Sequence, residues 1–124
     1  KDNIYLSRRP KINQNTLLKI TGVKKLLKDK KYNLNTMLDE NGANISMGER
    51  SRINLAQALF RPSEIYILDE CLSNVDVKLE REVLTNILNY YHDKIIIYIS
   101  HRLTNKDLFN RVLYLEKGKC YEKI

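Results

Sequence analysis

Two apolar runs in this chain end in side chains able to do chemistry. Asp69 and Glu70 follow Ile65-Tyr66-Ile67-Leu68, and Ser100, His101 and Arg102 follow Ile95-Ile96-Ile97-Tyr98-Ile99. An acidic pair after an apolar strand suits magnesium–nucleotide chemistry. One carboxylate holds Mg²⁺, directly or through water, and the second orients or deprotonates an attacking water. Standing alone, the pair would serve equally to end a strand and open a loop, and a lone His101 would be a structural histidine. A third segment, Ser46-Met47-Gly48-Glu49, has the S-x-x-E spacing of a capping box, in which the serine oxygen takes a backbone N–H and the glutamate reaches back. Such a helix start is also a ready anion site, because its free N–H groups and the positive end of the helix dipole point the same way. Asp76 is placed to N-cap the helix that follows it.

The elements that must position these groups are legible in the pattern. From Pro62 onward strand and helix alternate: a strand over 65–68, a helix over 76–91 with Leu79, Val83, Ile87, Leu88 and Tyr91 on one face, and a second strand over 94–99. The apolar runs are of the buried-strand type, and the three elements make a βαβ unit. In a parallel sheet ligands gather beyond the carboxyl ends of the strands, so the acidic pair and the imidazole should converge on one rim. Residues 111–121 read as a closing hairpin around Glu116-Lys117-Gly118-Lys119. Before Pro62 the chain leans helical, broken at Pro10, Gly22 and Asn41-Gly42, with Leu17, Leu18, Val23, Leu26 and Leu27 at near-helical spacing and a polar loop over 32–44. The expected internal boundary therefore divides 1–61 from 62–124.

Composition narrows the classes. A length of 124 residues allows one modest domain or part of one. Nothing approaches the roughly 18 consecutive apolar residues of a membrane span. Cys71 and Cys120 form neither a metal-ligand pattern nor a disulfide framework, which points to a reducing compartment. The net charge of +7 invites a nucleic-acid partner. The nearest cluster, Lys24 to Lys31, alternates with leucines as the solvated side of an amphipathic helix does, so no nucleic acid is expected. The chain opens on Lys1 rather than methionine, and the expectation is a piece of a longer protein.

At these spacings, "ISMGERSRINLAQALFRPSEIYILDECLSNVD" resembles the core of an ABC transporter ATPase, the nucleotide-binding domain. The family's LSGGQ signature matches Ile45-Ser46-Met47-Gly48-Glu49, its Walker B strand and acidic pair match Ile65 to Glu70, its D-loop matches Ser73-Asn74-Val75-Asp76, and its switch histidine matches His101 in "YISHRL". "KDNIYL" is similar to the segment after the Q-loop in exporters, and "LDENGANIS" to their "VGERGANLS". The resemblance covers essentially the whole chain. It implies an α/β, P-loop NTPase-like fold: a helical signature subdomain over 1–61 and the C-terminal part of a RecA-like core over 62–124. It implies the ATPase of an exporter of peptides, lipids or drug-like molecules, on the cytoplasmic face of a membrane. Two such domains would bind ATP head to tail and drive transmembrane domains. Asp69 would organise Mg²⁺, Glu70 would polarise water, and His101 would contact the γ-phosphate. Ser46, Met47, Gly48 and Glu49 would grip ATP held by the partner, Asp76 would lie at the dimer interface, and Glu40-Asn41-Gly42 would meet the coupling helices.

No G-x-x-x-x-G-K-[ST] occurs in these residues, so the fragment alone is not expected to hydrolyse ATP. Met47 stands where the family usually has glycine, and Glu49 where it usually has glutamine. The methionine adds bulk where close backbone approach is wanted. The carboxylate would repel a triphosphate unless turned back onto its own helix or paired with Arg50 or Arg52. A chromosome-maintenance or DNA-repair ABC ATPase head, a soluble ABC protein acting on ribosomes, and an ABC-like interaction module without catalysis are the alternative readings.

Overall fold

The computed structural model describes residues 13–33 and 45–123. The expected helical lean before residue 13, most of the polar loop, and Glu40-Asn41-Gly42 lie outside the described residues.

Helix α1 (Gln14–Ile20) starts where Asn13 Oδ1 accepts the N–H groups of Asn15 at 2.9 Å and Thr16 at 3.3 Å. It is separated from α2 (Val23–Asp29) by Thr21-Gly22. Gly22 has φ 73°, a left-handed conformation that costs glycine little. A Cβ at Gly22 would lie 3.0 Å from Arg52 Nη1. That guanidinium donates to the Gly22 carbonyl at 3.0 Å and so fastens the helical pair to α3 (Met47–Phe60).

The expected capping box opens α3. The Ser46 N–H donates to Glu49 Oε2 at 2.8 Å, and the Glu49 N–H donates to Ser46 Oγ at 3.1 Å. The helix stops at Phe60 because Arg61 precedes Pro62, and a residue before proline is forced toward extended backbone; Arg61 has ψ 120°. Two tyrosines then pin the end of α3. Tyr66 donates to the Arg61 carbonyl at 2.9 Å and Tyr91 to the Leu59 carbonyl at 3.1 Å, their rings 5.0 Å apart.

The βαβ unit follows as expected. Strand β1 (Ile65–Asp69), helix α4 (Val77–Tyr90) and strand β2 (Ile95–Ile99) place β1 and β2 side by side and parallel, from Ile65 opposite Ile95 to Asp69 opposite Ile99. A short 3₁₀ turn (Lys106–Leu108) leads to the antiparallel hairpin of β3 (Leu113–Glu116) and β4 (Lys119–Glu122). Its two-residue turn, Lys117-Gly118, has φ 47° and 74°, the pair of positive angles that matches strand twist.

The core joins Leu17 of α1, Leu55 and Leu59 of α3, Leu72, and Val83, Leu84 and Ile87 of α4 with Tyr66 and Leu68 of β1. Two expectations shift here. The buried stripe of α4 runs through Glu80, Val83, Leu84 and Ile87, while Leu79 and Leu88 are only half-buried. The strands are covered on one face, because side chains alternate and the described helices lie on one side. Ile65, Ile67, Ile95, Ile97 and Ile99 face outward, Ile67 with 66% exposure. No helix among the described residues is long and apolar enough to cross a membrane.

Candidate functional site

The parallel register puts the ends of β1 and β2 level, so Asp69 stands opposite Ile99 and the chemistry-bearing residues leave both strands together. Glu70 takes φ 49°, a left-handed conformation uncommon outside glycine. Its N–H donates to the Ile99 carbonyl at 3.0 Å. Its carboxylate accepts the His101 N–H at 3.2 Å, and the same Oε1 lies 3.4 Å from His101 Nε2. The strained backbone is held by two links to the end of β2, and it turns Glu70 away from the line of the strand. The imidazole itself is open, 97% exposed. Asp69 is exposed on the outward face shared with Ile65 and Ile67.

Among the described residues no group of three or more His, Cys, Asp or Glu could enclose a metal ion. A cation at this rim would have one or two carboxylates from the described residues and would need oxygens brought by a ligand. That suits Mg²⁺, which keeps waters and phosphate oxygens in its shell. The neighbouring Cys71 thiol is pushed up to about 11 by burial and stays protonated near neutrality.

A second group forms at the start of α3. With Ser46 and Glu49 engaged in the capping box, the N–H groups of Met47 and Gly48 are the first-turn donors that no partner among the described residues takes up. Met47 projects outward, 69% exposed. Glu49 is turned back onto its own helix, and its ion pair is with Lys30, Nζ to Oε2 3.1 Å. Burial pushes its pKa up, but the Ser46 N–H, Lys30 and Arg52 together outweigh this and leave it below the ordinary value. The charge that threatened to repel a phosphate is thus already committed. Gly48 packs on the Ser73–Asp76 loop: a Cβ there would lie 2.7 Å from the Asn74 carbonyl oxygen. Asp76 caps α4, accepting the Leu79 N–H at 3.0 Å.

Arg102 joins the two groups. Its Nη1 donates to the Val75 carbonyl and to Glu80 Oε2, each at 2.7 Å, and its Nη2 donates to the Ser73 carbonyl. Glu80 is wholly buried and accepts the Tyr98 hydroxyl at 2.6 Å on its other oxygen. Burial, reinforced by that carboxylate, drives the Tyr98 phenol well above its ordinary value. The Glu80 bond holds Arg102 protonated. Sequence reading missed Glu80 and this role of Arg102 and Tyr98. The available signal was a glutamate in register with Val83, Leu84 and Ile87, a charged residue inside an apolar stripe.

Residues 8–73 match the family described as ABC transporter. The chain belongs to that family. This ABC transporter segment carries the P-loop NTPase fold class in its α/β part. It is 34% identical over 98% of its length to the lactococcin-A transport/processing ATP-binding protein of Lactococcus lactis subsp. lactis, covering 17% of that protein. It is 30% identical over 98% of its length to the pediocin PA-1 transport/processing ATP-binding protein of Pediococcus acidilactici, again covering 17%. The oligomycin resistance ATP-dependent permease of Saccharomyces cerevisiae is 40% identical over 74% of the chain, which spans 6% of that permease.

Proposed function

We propose that these residues are part of the ATP-hydrolysing nucleotide-binding domain of an ABC exporter that moves a peptide across a membrane. The observation that carries the reading is Glu70: an acid in strained left-handed backbone at the common end of two parallel strands, its carboxylate against His101. Residues 1–61 form the signature subdomain and 62–124 the later part of the RecA-like core, with Pro62 between α3 and β1.

Asp69 would hold Mg²⁺, Glu70 would accept the proton of the attacking water, and His101 would contact the γ-phosphate from an imidazole open to solvent. Mg²⁺, when bound with ATP, would supply charge neutralisation at the transferred phosphoryl group. Ser46, Met47, Gly48 and Glu49 face ATP held by a second nucleotide-binding domain: the helix start offers N–H donors, and Ser46 and Glu49 keep that turn formed. Asp76 stands at the same interface. Transmembrane domains take up the work, and the domain sits on the cytoplasmic face. The choice of a peptide follows the names of the lactococcin-A and pediocin PA-1 relatives.

The test is Glu70→Gln in the full-length protein. ATP binding should be kept while steady-state turnover drops by about 10² or more, the range for loss of a general base. Turnover within a few-fold of the parent would remove Glu70 from the reaction.

A further inference from the structure

We infer that Arg102 is a positioning residue that locks the Ser73–Asp76 loop and, through Asn74, sets the start of α3; this rests on the reading of the site just given. The guanidinium reaches the carbonyls of Ser73 and Val75, the residues flanking Asn74. The Asn74 carbonyl in turn lies so close to Gly48 that only the absence of a side chain admits it, 2.7 Å from where a Cβ would stand. Three carbonyls in a row are thus held from two sides, two by Arg102 and one by the first turn of α3. Arg102 follows His101 directly, so the backbone that carries the imidazole also carries the lock. The Arg102 N–H donates to Ser100 Oγ at 3.0 Å, which fixes that backbone beyond β2.

Glu80 explains why the residue is arginine. A planar fork can bridge a carboxylate and two carbonyls at once, whereas a lysine offers one nitrogen. Glu80 is wholly buried, and Tyr98 occupies its second oxygen, so the carboxylate presents its remaining oxygen to Arg102 in one orientation. A displacement at His101 is therefore passed to residues 73–76 and on to Ser46–Glu49 through contacts within a single chain. In a head-to-tail pair of domains these two places face different nucleotides, so Arg102 links the two sites.

Arg102→Lys and Arg102→Met in the full-length protein test this by hydrogen exchange and steady-state ATPase. Amides to watch are Ser73 and Val75, which bond to the carbonyls of Glu70 and Leu72, and Arg50, which bonds to that of Ser46. Both variants should speed exchange over 72–76 and over 46–50 while leaving α1 and α2 unchanged. Turnover should fall by about tenfold or more with KM within about threefold, since misplacement of a site by an ångström costs rate on that scale. Arg102→Lys keeps a charge beside Glu80, so it should recover most of the thermal stability lost in Arg102→Met but not the turnover. Recovery of turnover along with stability would reduce Arg102 to a fold-stabilising role and overturn the proposal. Exchange over 46–50 that stays at the parent level in both variants would also overturn it. A parent protein without ATP turnover would instead sink the functional reading, leaving the exchange measurements to decide the link.

Discussion

Met47 and Glu49 are the residues at which the proposed signature departs from the pattern the resemblance implies, and the structure gives them different weights. Glu49 completes the capping box and pairs with Lys30, so its charge is directed back into its own subdomain. Its depressed pKa means that its contribution to stability is complete above the ordinary carboxylate value of 4.5 and is lost as pH falls through the lower folded value. Glu49→Gln should keep the cap, since glutamine serves in the same box, and cost about 0.5 kcal/mol near neutrality, the scale of a partly exposed ion pair. Its unfolding midpoint should fall less steeply below pH 4.5 than the parent's. Met47 touches solvent rather than core. Met47→Gly should therefore cost only about 1 kcal/mol of helix propensity and raise the turnover of the full-length protein by admitting closer approach. Turnover unchanged or lower in Met47→Gly would show that the methionine is no obstacle.

Among elements, α3 and the Ser73–Asp76 loop meet at a close backbone approach at Gly48. Gly48→Ala gains helix propensity, about 1 kcal/mol, but its Cβ meets a backbone oxygen at 2.7 Å that cannot rotate away. Overpacking of this kind costs about 1–3 kcal/mol. The expected result is a net loss of about 1 kcal/mol in denaturant unfolding; a gain in stability would mean that the loop yields freely. The elements differ in how openly the sequence declared them. The capping box, the βαβ order and the hairpin rest on neighbours within a few residues and were legible from spacing. The meeting of Glu70 and His101 at one rim was legible as well, because strand ends in a parallel sheet fall together. Glu80 was not, since its partners Tyr98 and Arg102 lie 18 and 22 residues away and nothing local marks a carboxylate as buried. The packing of Gly48 on Asn74 likewise depends on two elements meeting, and the left-handed backbone of Glu70 has no signature in residue type.

At the scale of the whole molecule, the outward face of the β1–β2 pair is an apolar surface among the described residues. Ile65, Ile67, Ile95, Ile97 and Ile99 form an apolar patch on a sheet whose pattern is that of strands covered on both sides. Residues 1–124 expressed by themselves should self-associate, and Ile67→Lys with Ile97→Lys should shift the sedimentation profile toward monomer. A monomeric parent chain would show that this face needs no cover. The same global stability has a bearing on Glu70. Replacing it by glycine would relieve about 1–3 kcal/mol of backbone strain, set against about 1 kcal/mol of added chain freedom and about 1 kcal/mol for the lost bond to His101. These terms cancel to within about 1 kcal/mol. Melting experiments are nearly blind to this position, and a variant library ranked by heat tolerance would let its acid disappear unnoticed.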